Sequence, residues 1–218
     1  LSRNAAVFGK LVFDNLNRSS FPTSGIRSSL VVKYRFYTKD DAHYFDPSFV
    51  DAPRNGDIMY TLNWYVTPRG GKFTFIPQLY HRSIICDGWI NTCLVNIYGG
   101  LEQGRYVYQQ MPFVGTTGTE LTFYRNMSIA RCDLRWNFTG KHYLTGMFNC
   151  LAAADSFRDY FSKENGISNL GVGLQYSYNS SIGPLSFDVH WSDVRSFGAY
   201  LSAGYYFCRL IADKREQE

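Results

Sequence analysis

Residues 170–178 read Leu-Gly-Val-Gly-Leu-Gln-Tyr-Ser-Tyr, with a large apolar side chain at every second position and glycine or a polar residue between. Successive side chains of a β-strand point to opposite faces of the sheet, so this spacing predicts a strand with one apolar and one polar face. The same period of two returns in residues 185–191 and 197–207. Because the connections between these segments are short, the three strands are predicted to pair as antiparallel hairpins.

The alternation extends, with less purity, over almost the whole chain. It predicts an all-β protein with about ten strands, near residues 5–14, 25–38, 56–67, 72–81, 93–100, 124–138, 141–154, 167–179, 184–192 and 196–208. Short connections alternate with long ones along this series. The short ones are 68–71, 139–140 and 180–184, and the long ones are 39–55, 82–93, 101–123 and 155–166.

The composition limits what such a sheet can be. The 218 residues are 17% aromatic and 18% charged, against a usual charged fraction of about 25%. Every apolar run ends well before the roughly 18 residues that a membrane-spanning helix needs, so a helical membrane protein is excluded. The net charge of +4 comes from scattered basic and acidic residues, which argues against a nucleic-acid partner. A soluble β-sandwich or barrel and a β-barrel in lipid remain.

The order and length of the strands favour the barrel in lipid. Outer-membrane barrels have short turns at one end and long loops at the other, and their tilted strands need about 9 to 11 residues. Arg131, Asp133 and Arg135 share one face of a predicted strand, opposite Leu134 and Trp136. In a membrane barrel these charges would line a polar lumen, whereas in a soluble sandwich they would face water. Alternation alone cannot tell which face is inside, so both alternatives stay open at this point.

Sites for chemistry are scarce in the sequence. No metal-ligand spacing links the four histidines, and no cofactor site is predicted. Asp188 and His190 share a strand face, but no motif marks a nucleophile beside them, so the chain is not expected to be an enzyme. Five cysteines form no C-x-x-C pair, and a disulfide between Cys86 and Cys93 would close a short loop.

Five fragments occur in the order found in one superfamily of barrels: 13–18 with 21–25, 98–106, 132–136, 171–185 and 204–207. They resemble the hairpins, inward-folded loop and closing strand of the outer-membrane assembly-factor superfamily, which includes insertases, two-partner secretion transporters and bacterial surface antigen barrels. The resemblance implies an antiparallel transmembrane β-barrel of a bacterial outer membrane with about 16 strands, of which about ten lie in this chain. Residues 1–208 would form the barrel and the charged residues 209–218 a disordered tail.

The resemblance also implies that the loop 101–123 folds into the lumen as a plug. Gly99 and Gly100 resemble the Gly-Gly strand end of the superfamily, and Arg105 and Tyr106 resemble the arginine–aromatic tip of its loop. The resemblance implies that this arginine docks against the inner side of the barrel. An unpaired cation in a confined lumen loses solvation, so Asp133 is the expected partner of Arg105; a solvated loop arginine is the alternative. The predicted contacts of plug and lumen involve Arg105, Tyr106, Gly99, Gly100, Asp133 and Arg135.

The octapeptide Tyr-Gln-Gln-Met-Pro-Phe-Val-Gly at 108–115 resembles a loop of the barrel that follows patatin-like phospholipases in Bacteroidetes-type bacteria. It implies a barrel that anchors or translocates an attached lipase domain, although this chain has no G-x-S-x-G nucleophile elbow of its own. The implied partners are outer-membrane lipid, the barrel-assembly machinery and the lipase domain, while a homo-oligomer is left open. An insertase or two-partner secretion pore is one alternative, and a soluble β-barrel that binds an apolar ligand is another.

Overall fold

The computed structural model is an all-β chain built on one large antiparallel sheet. It describes residues 2–203 except 41–53, 87–94, 105–106, 117, 161, 163, 182 and 196. The strands in chain order are β1 (Ser2–Asp14), β2 (Ser24–Asp40), β3 (Asn55–Val66), β4 (Phe73–Cys86), β5 (Asn96–Tyr98), β6 (Gln110–Met111), β7 (Glu120–Thr122), β8 (Asn126–Asn137), β9 (His142–Ala154), β10 (Gly166–Ser180), β11 (Gly183–Ser192) and β12 (Gly198–Ala203). A 3₁₀ turn, Phe157–Asp159, lies between β9 and β10.

The large sheet has nine strands in the order β1-β2-β3-β4-β8-β9-β10-β11-β12, and every neighbouring pair is antiparallel. The prediction of an all-β chain with an antiparallel sheet is therefore confirmed. Strands β1 and β12 form its two edges and do not pair with each other over the described residues. No helix in the described part of the chain is long and apolar enough to span a membrane.

The strand predicted near 93–100 is present only in part. The described residues 95–100 contain the three-residue β5, which belongs to a separate three-stranded sheet with the order β6-β5-β7. Gly99 and Gly100 end β5 with φ values of +132° and +70°, which other residues rarely adopt. The described residues between β4 and β8 therefore do not extend the large sheet, which has nine strands over the part of the chain that the structure describes.

The described residues between 95 and 124, called the plug below, lie against one face of the large sheet. Tyr108 in the plug lies under the Lys10 ammonium of β1, with 5.8 Å between Nζ and the ring centroid, while Gly115 accepts a hydrogen bond from Ser192 of β11. In a flat sheet β1 and β11 would be about 34 Å apart, at roughly 4.8 Å per strand. The sheet therefore curves around the plug, and the face that the plug covers is called the inner face.

The inner face is the buried face, and it carries the charges. Arg82 is fully buried and Asp133 is 4% exposed. The buried polar residues on this face include Arg35, Asp57, Arg82, Arg131, Asp133, Arg135, Asn149, Asp188, His190 and Ser192. They share it with an apolar cluster of Val31, Met59, Tyr80, Met127, Ile129, Leu151 and Ala153, which packs against Tyr98, Met111 and Phe113 of the plug.

The opposite face, called the outer face, is apolar and exposed. Its large side chains include Val32, Tyr34, Trp64, Phe75, Leu79, Leu134, Trp136, Phe148, Leu170, Val172, Leu174, Tyr176, Phe187, Trp191 and Leu201, each at least 39% exposed. The alternation left open which face is inside, and the structure assigns it: the buried charged residues of β2, β3, β4, β8 and β11 all point to the inner face. The order of faces is thus the reverse of that in a sandwich with an aromatic core.

Candidate plug and lumen site

The plug is held together by the backbone of its glycine pair. Gly99 donates a hydrogen bond to the Met111 carbonyl at 2.9 Å, and Gly100 donates to the Thr116 carbonyl at 3.0 Å. The Gln110 side chain, which is fully buried, donates to the Gly99 carbonyl. A Cβ at Gly99 would lie 2.2 Å from the Gly118 carbonyl oxygen, so only glycine fits there. The structure thus places Gly99 and Gly100 inside the plug, where they bring its separate segments together.

One row of residues across the large sheet, which is called the wall below, binds Val114 and Gly115 at the tip of the plug. Asn149 of β9, Gly171 of β10 and Ser192 of β11 are direct neighbours in register. The Asn149 Oδ1 accepts a hydrogen bond from the Val114 amide at 2.7 Å, and the Ser192 hydroxyl donates to the Gly115 carbonyl at 2.9 Å. Both side chains are nearly or fully buried. Side chains of this row therefore make the hydrogen bonds to the plug backbone that a neighbouring strand would otherwise make.

Two glycines of β10 make room for that contact. A Cβ at Gly171 would lie 1.8 Å from the Val114 carbonyl oxygen, and one at Gly173 would lie 2.8 Å from Val114 Cγ1. Gly115 approaches just as closely from the plug side, since its Cβ would lie 2.3 Å from that of Ser192. Glycines on both sides therefore allow the plug to approach the wall closely. Gly171 and Gly173 lie on β10, and Gly115 ends the octapeptide 108–115.

A buried ion pair on β8 forms a second anchor. Arg131 donates from Nε and Nη2 to the two carboxylate oxygens of Asp133, each at 2.8 Å, and from Nη1 to the Leu101 carbonyl at 2.7 Å. Gln78 also donates to Asp133, at 2.9 Å. A bidentate guanidinium–carboxylate pair fixes geometry as well as charge. Asp133 therefore orients the arginine that holds the plug.

The partner that the sequence predicts for Asp133 is Arg105. Arg105 and Tyr106 lie outside the described residues, so their contact with the wall stays a prediction. Within the described residues the carboxylate of Asp133 is bound by Arg131 and Gln78. Arg131 shares the inner face of β8 with Asp133, two residues away, and this spacing was the signal that could have found it.

A third anchor holds both ends of the plug. The Arg82 side chain of β4 donates to the Val95 carbonyl at 2.9 Å, and the side-chain amide of Asn96 donates to the Tyr124 carbonyl at 2.8 Å. The carboxylate of Asp57 lies 3.5 Å from the guanidinium of Arg82 and 3.1 Å from that of Arg35. The two cations share one buried anion, which lowers the cost of removing both from water. The sequence pattern did not single out Arg82 or Asn96.

Arg135 serves a different part of the inner face. Its guanidinium donates to the Pro22 carbonyl in the β1–β2 connection and lies 5.5 and 5.8 Å from the ring centroids of Phe21 and Tyr143. The rings of Phe21 and Tyr143 stack with centroids 4.1 Å apart. Arg135 therefore holds the connection 15–23 over the inner side of β8 and β9, away from the plug.

Tyr98 adds a contact between plug and wall. Its hydroxyl accepts a hydrogen bond from the Asn169 amide of β10 at 3.3 Å, and its ring meets that of Phe113 edge-on at 5.5 Å. Burial raises the pKa of the Tyr98 phenol, and the neighbouring Glu120 carboxylate adds to the rise. The phenol therefore stays neutral at physiological pH, and this contact does not titrate there.

Asp188 and His190 form a buried pair on the inner face of β11, with 2.6 Å between Nδ1 and Oδ2. The imidazole Nε2 has no hydrogen-bond partner among the described residues and faces the backbone of β12, where a Cβ at Gly198 would lie 2.3 Å away. No described hydroxyl or thiol is hydrogen-bonded to this nitrogen.

The structure bears only in part on possible metal and disulfide sites. The described part of the chain holds no group of three or more histidine, cysteine or acidic side chains placed to bind a metal ion. Cys86 is buried at the end of β4, whereas Cys93 lies outside the described residues, so their disulfide stays a prediction. The predicted tail 209–218 lies outside them as well.

Comparisons with known proteins do not assign a family. No protein-family model matches the chain, and a search of curated proteins gives no match either. The resemblance to outer-membrane assembly barrels therefore rests on the sequence fragments quoted above, and the candidate site rests on its own geometry.

Proposed function

We propose that this chain forms wall and plug of a transmembrane β-barrel in a bacterial outer membrane. The observation that carries the proposal is the order of the two faces, with Arg82 at 0% and Asp133 at 4% exposure inside, and Trp191 at 48% and Leu201 at 74% outside. Each Å² of apolar surface left in water costs about 25 cal/mol, and large contiguous apolar patches mark interaction surfaces. Lipid hydrocarbon is the environment in which this outer face is favourable.

The dimensions of the outer face support the same proposal. On β10 its apolar side chains run from Leu170 to Tyr178, about 27 Å along the strand at 3.4 Å per residue. At a tilt of roughly 40° this covers about 21 Å of depth, near the roughly 25 Å apolar band of outer-membrane barrels.

An aromatic row marks the turn end of this apolar face. Ring pairs with centroids 4.8 to 5.9 Å apart connect four neighbouring strands there. The rings belong to Phe73, Trp136, Phe138, His142, Tyr176 and Tyr178. Aromatic girdles of this kind lie at the interfaces of membrane barrels, where the amphipathic rings meet the lipid headgroups.

Within this membrane role, we infer that the barrel anchors or translocates an attached patatin-like lipase. The link to a lipase rests on the resemblance of residues 108–115, and the plug bears on which role is favoured. Met111, Phe113 and Val114 are fully buried against the wall, which favours a closed anchor over an open pore. The reading frame ahead of Leu1 tests the attachment: a domain with a G-x-S-x-G elbow supports it, and repeated small αβ domains support an insertase instead.

Tryptophan quenching tests the membrane proposal directly. Three of the four tryptophans, Trp64, Trp136 and Trp191, lie on the outer face and are 40–48% exposed. In vesicles of brominated phosphatidylcholine, a variant that keeps only Trp191 should be strongly quenched. A tryptophan-free background with Tyr143→Trp, on the inner face, is the matched control and should not be quenched. A monomer that is stable in plain buffer and shows equal quenching in both variants would overturn the proposal.

A further inference from the structure

On β4, β8, β9 and β10, the outer face changes from apolar to mostly polar within a single step along the strands. Leu79, Ala130, Cys150 and Leu170 form one row across β4, β8, β9 and β10. The next row toward the long loops consists of His81, Ser128, Ala152 and Ser168. Polar groups that face hydrocarbon cost several kcal/mol when they are unsatisfied, so such a row is expected at a boundary.

The polar residues beyond this step form a connected group, called the outer polar cluster: His81, Ser83, Asn126 and Ser128. His81 contacts Ser128 Oγ through Nδ1 at 2.9 Å and Ser83 Oγ through Nε2 at 2.8 Å. Ser83 in turn donates to Asn126 Oδ1 at 2.7 Å. Each member therefore has a partner within the protein, and the cluster does not depend on water for its hydrogen bonds.

Residues 155–160, which follow β9, fold back over this cluster on the outside of the sheet. The Tyr160 hydroxyl lies 3.2 Å from Ser128 Oγ, and Asn126 donates to the Asp155 carbonyl at 2.9 Å. Phe157 lies over His81 with ring centroids 5.6 Å apart and packs edge-on against Tyr160 at 5.5 Å. Phe157 nevertheless remains 60% exposed, because its other side faces away from the protein.

We propose that residues 155–160 and the outer polar cluster form a contact surface for the headgroup–acyl boundary of the bilayer on the loop side. This inference rests on the proposed membrane function and adds the level at which the wall meets that boundary. The apolar row that starts at Leu79 adjoins the cluster directly, so the surface continues the lipid-facing wall. Phe157 and Arg158 are both exposed. An aromatic ring suits the apolar side of the headgroup–acyl boundary, and a guanidinium suits the phosphate groups on its other side.

Depth-dependent quenching tests this surface. In a tryptophan-free background, Phe157→Trp should be quenched at least about twofold more by lipid brominated near the headgroup than by lipid brominated deep in the chain, since interfacial segments sit about 5–10 Å into the boundary. Leu174→Trp, in the middle of the apolar run of β10, should show the opposite order. Heat-modifiable gel mobility checks that each variant is folded.

The outcomes separate the two proposals. If Phe157→Trp responds only to an aqueous quencher such as acrylamide, or is quenched best by deep bromine, while Leu174→Trp is quenched by deep bromine, the boundary surface is wrong and the membrane wall stands. If neither variant is quenched by lipid, the membrane function itself is wrong. Shallow quenching at position 157 together with deep quenching at position 174 supports both.

Discussion

At the scale of single residues, the absence of a side chain at Gly171 allows the plug to contact the wall. The Val114 carbonyl oxygen occupies the place of a Cβ, 1.8 Å from its ideal position, so Gly171→Ala should push the tip of the plug off the wall. The hydrogen bonds to Asn149 and Ser192 would then be lost, at a net cost of about 1 kcal/mol each. We expect amide exchange over residues 110–116 to rise roughly 30-fold, measured by mass spectrometry on the folded protein in detergent.

The matched control for this change is Gly146→Ala on the neighbouring strand β9. A Cβ at Gly146 meets nothing within 4 Å, so the exchange of residues 110–116 should stay as in the wild type. Equal exchange in the two variants would mean that the plug does not depend on the close approach at Gly171.

At the scale of elements, Arg135 decides whether the β1–β2 connection stays folded over the inner face. Arg135→Ala removes its hydrogen bond to Pro22 and its contacts with the stacked rings of Phe21 and Tyr143, at an expected cost of about 1.5–3 kcal/mol. The exposed Arg18 in this connection should then be cut by trypsin roughly tenfold faster or more. Arg69→Ala, in the exposed β3–β4 turn, should leave that rate unchanged; an increase in both variants would contradict the assigned role.

The period of two predicts the wall strands well because it reports local geometry. The strand predicted at 141–154 is His142–Ala154, and the one predicted at 184–192 is Gly183–Ser192. The segment 93–100 has a similar local pattern, but the positive φ values of Gly99 and Gly100 end β5 after Tyr98. The local pattern cannot tell a strand of the wall from a strand of the plug, because the two differ in which other strands they pair with.

The plug contacts were harder to predict for the same reason. Asn149 and Ser192 bind backbone groups of Val114 and Gly115, which lie 35 and 77 residues away along the chain. Any residue except proline offers the same backbone donor and acceptor, so no pattern in the plug points to these partners. Asp133 could be placed on the inner face by alternation, but its partner on the same strand competes with any arginine from the loop.

At the scale of the whole molecule, the parity of the sheet limits how it can close. Nine strands with antiparallel neighbours leave β1 and β12 running in the same direction. Pairing these two edges directly, within one chain or between two copies related by an axis along the barrel, would create a parallel pair. Bacterial outer-membrane barrels have even numbers of antiparallel strands, so closure of that kind needs an odd number of further strands between β1 and β12.

Cysteine pairs can test this limit. In a background without native cysteines, Phe8→Cys with Lys33→Cys joins register partners of β1 and β2 and should form a disulfide. Phe8→Cys combined in turn with Gly198→Cys, Tyr200→Cys and Ser202→Cys should give none, within a chain or between copies. A disulfide requires Cα atoms closer than about 7 Å, and an intervening odd set of strands at about 4.8 Å each keeps two edges on the same sheet at least about 9 Å apart. A cross-link from β1 to β12 would show that the edges meet in parallel and that nine strands suffice for a ring.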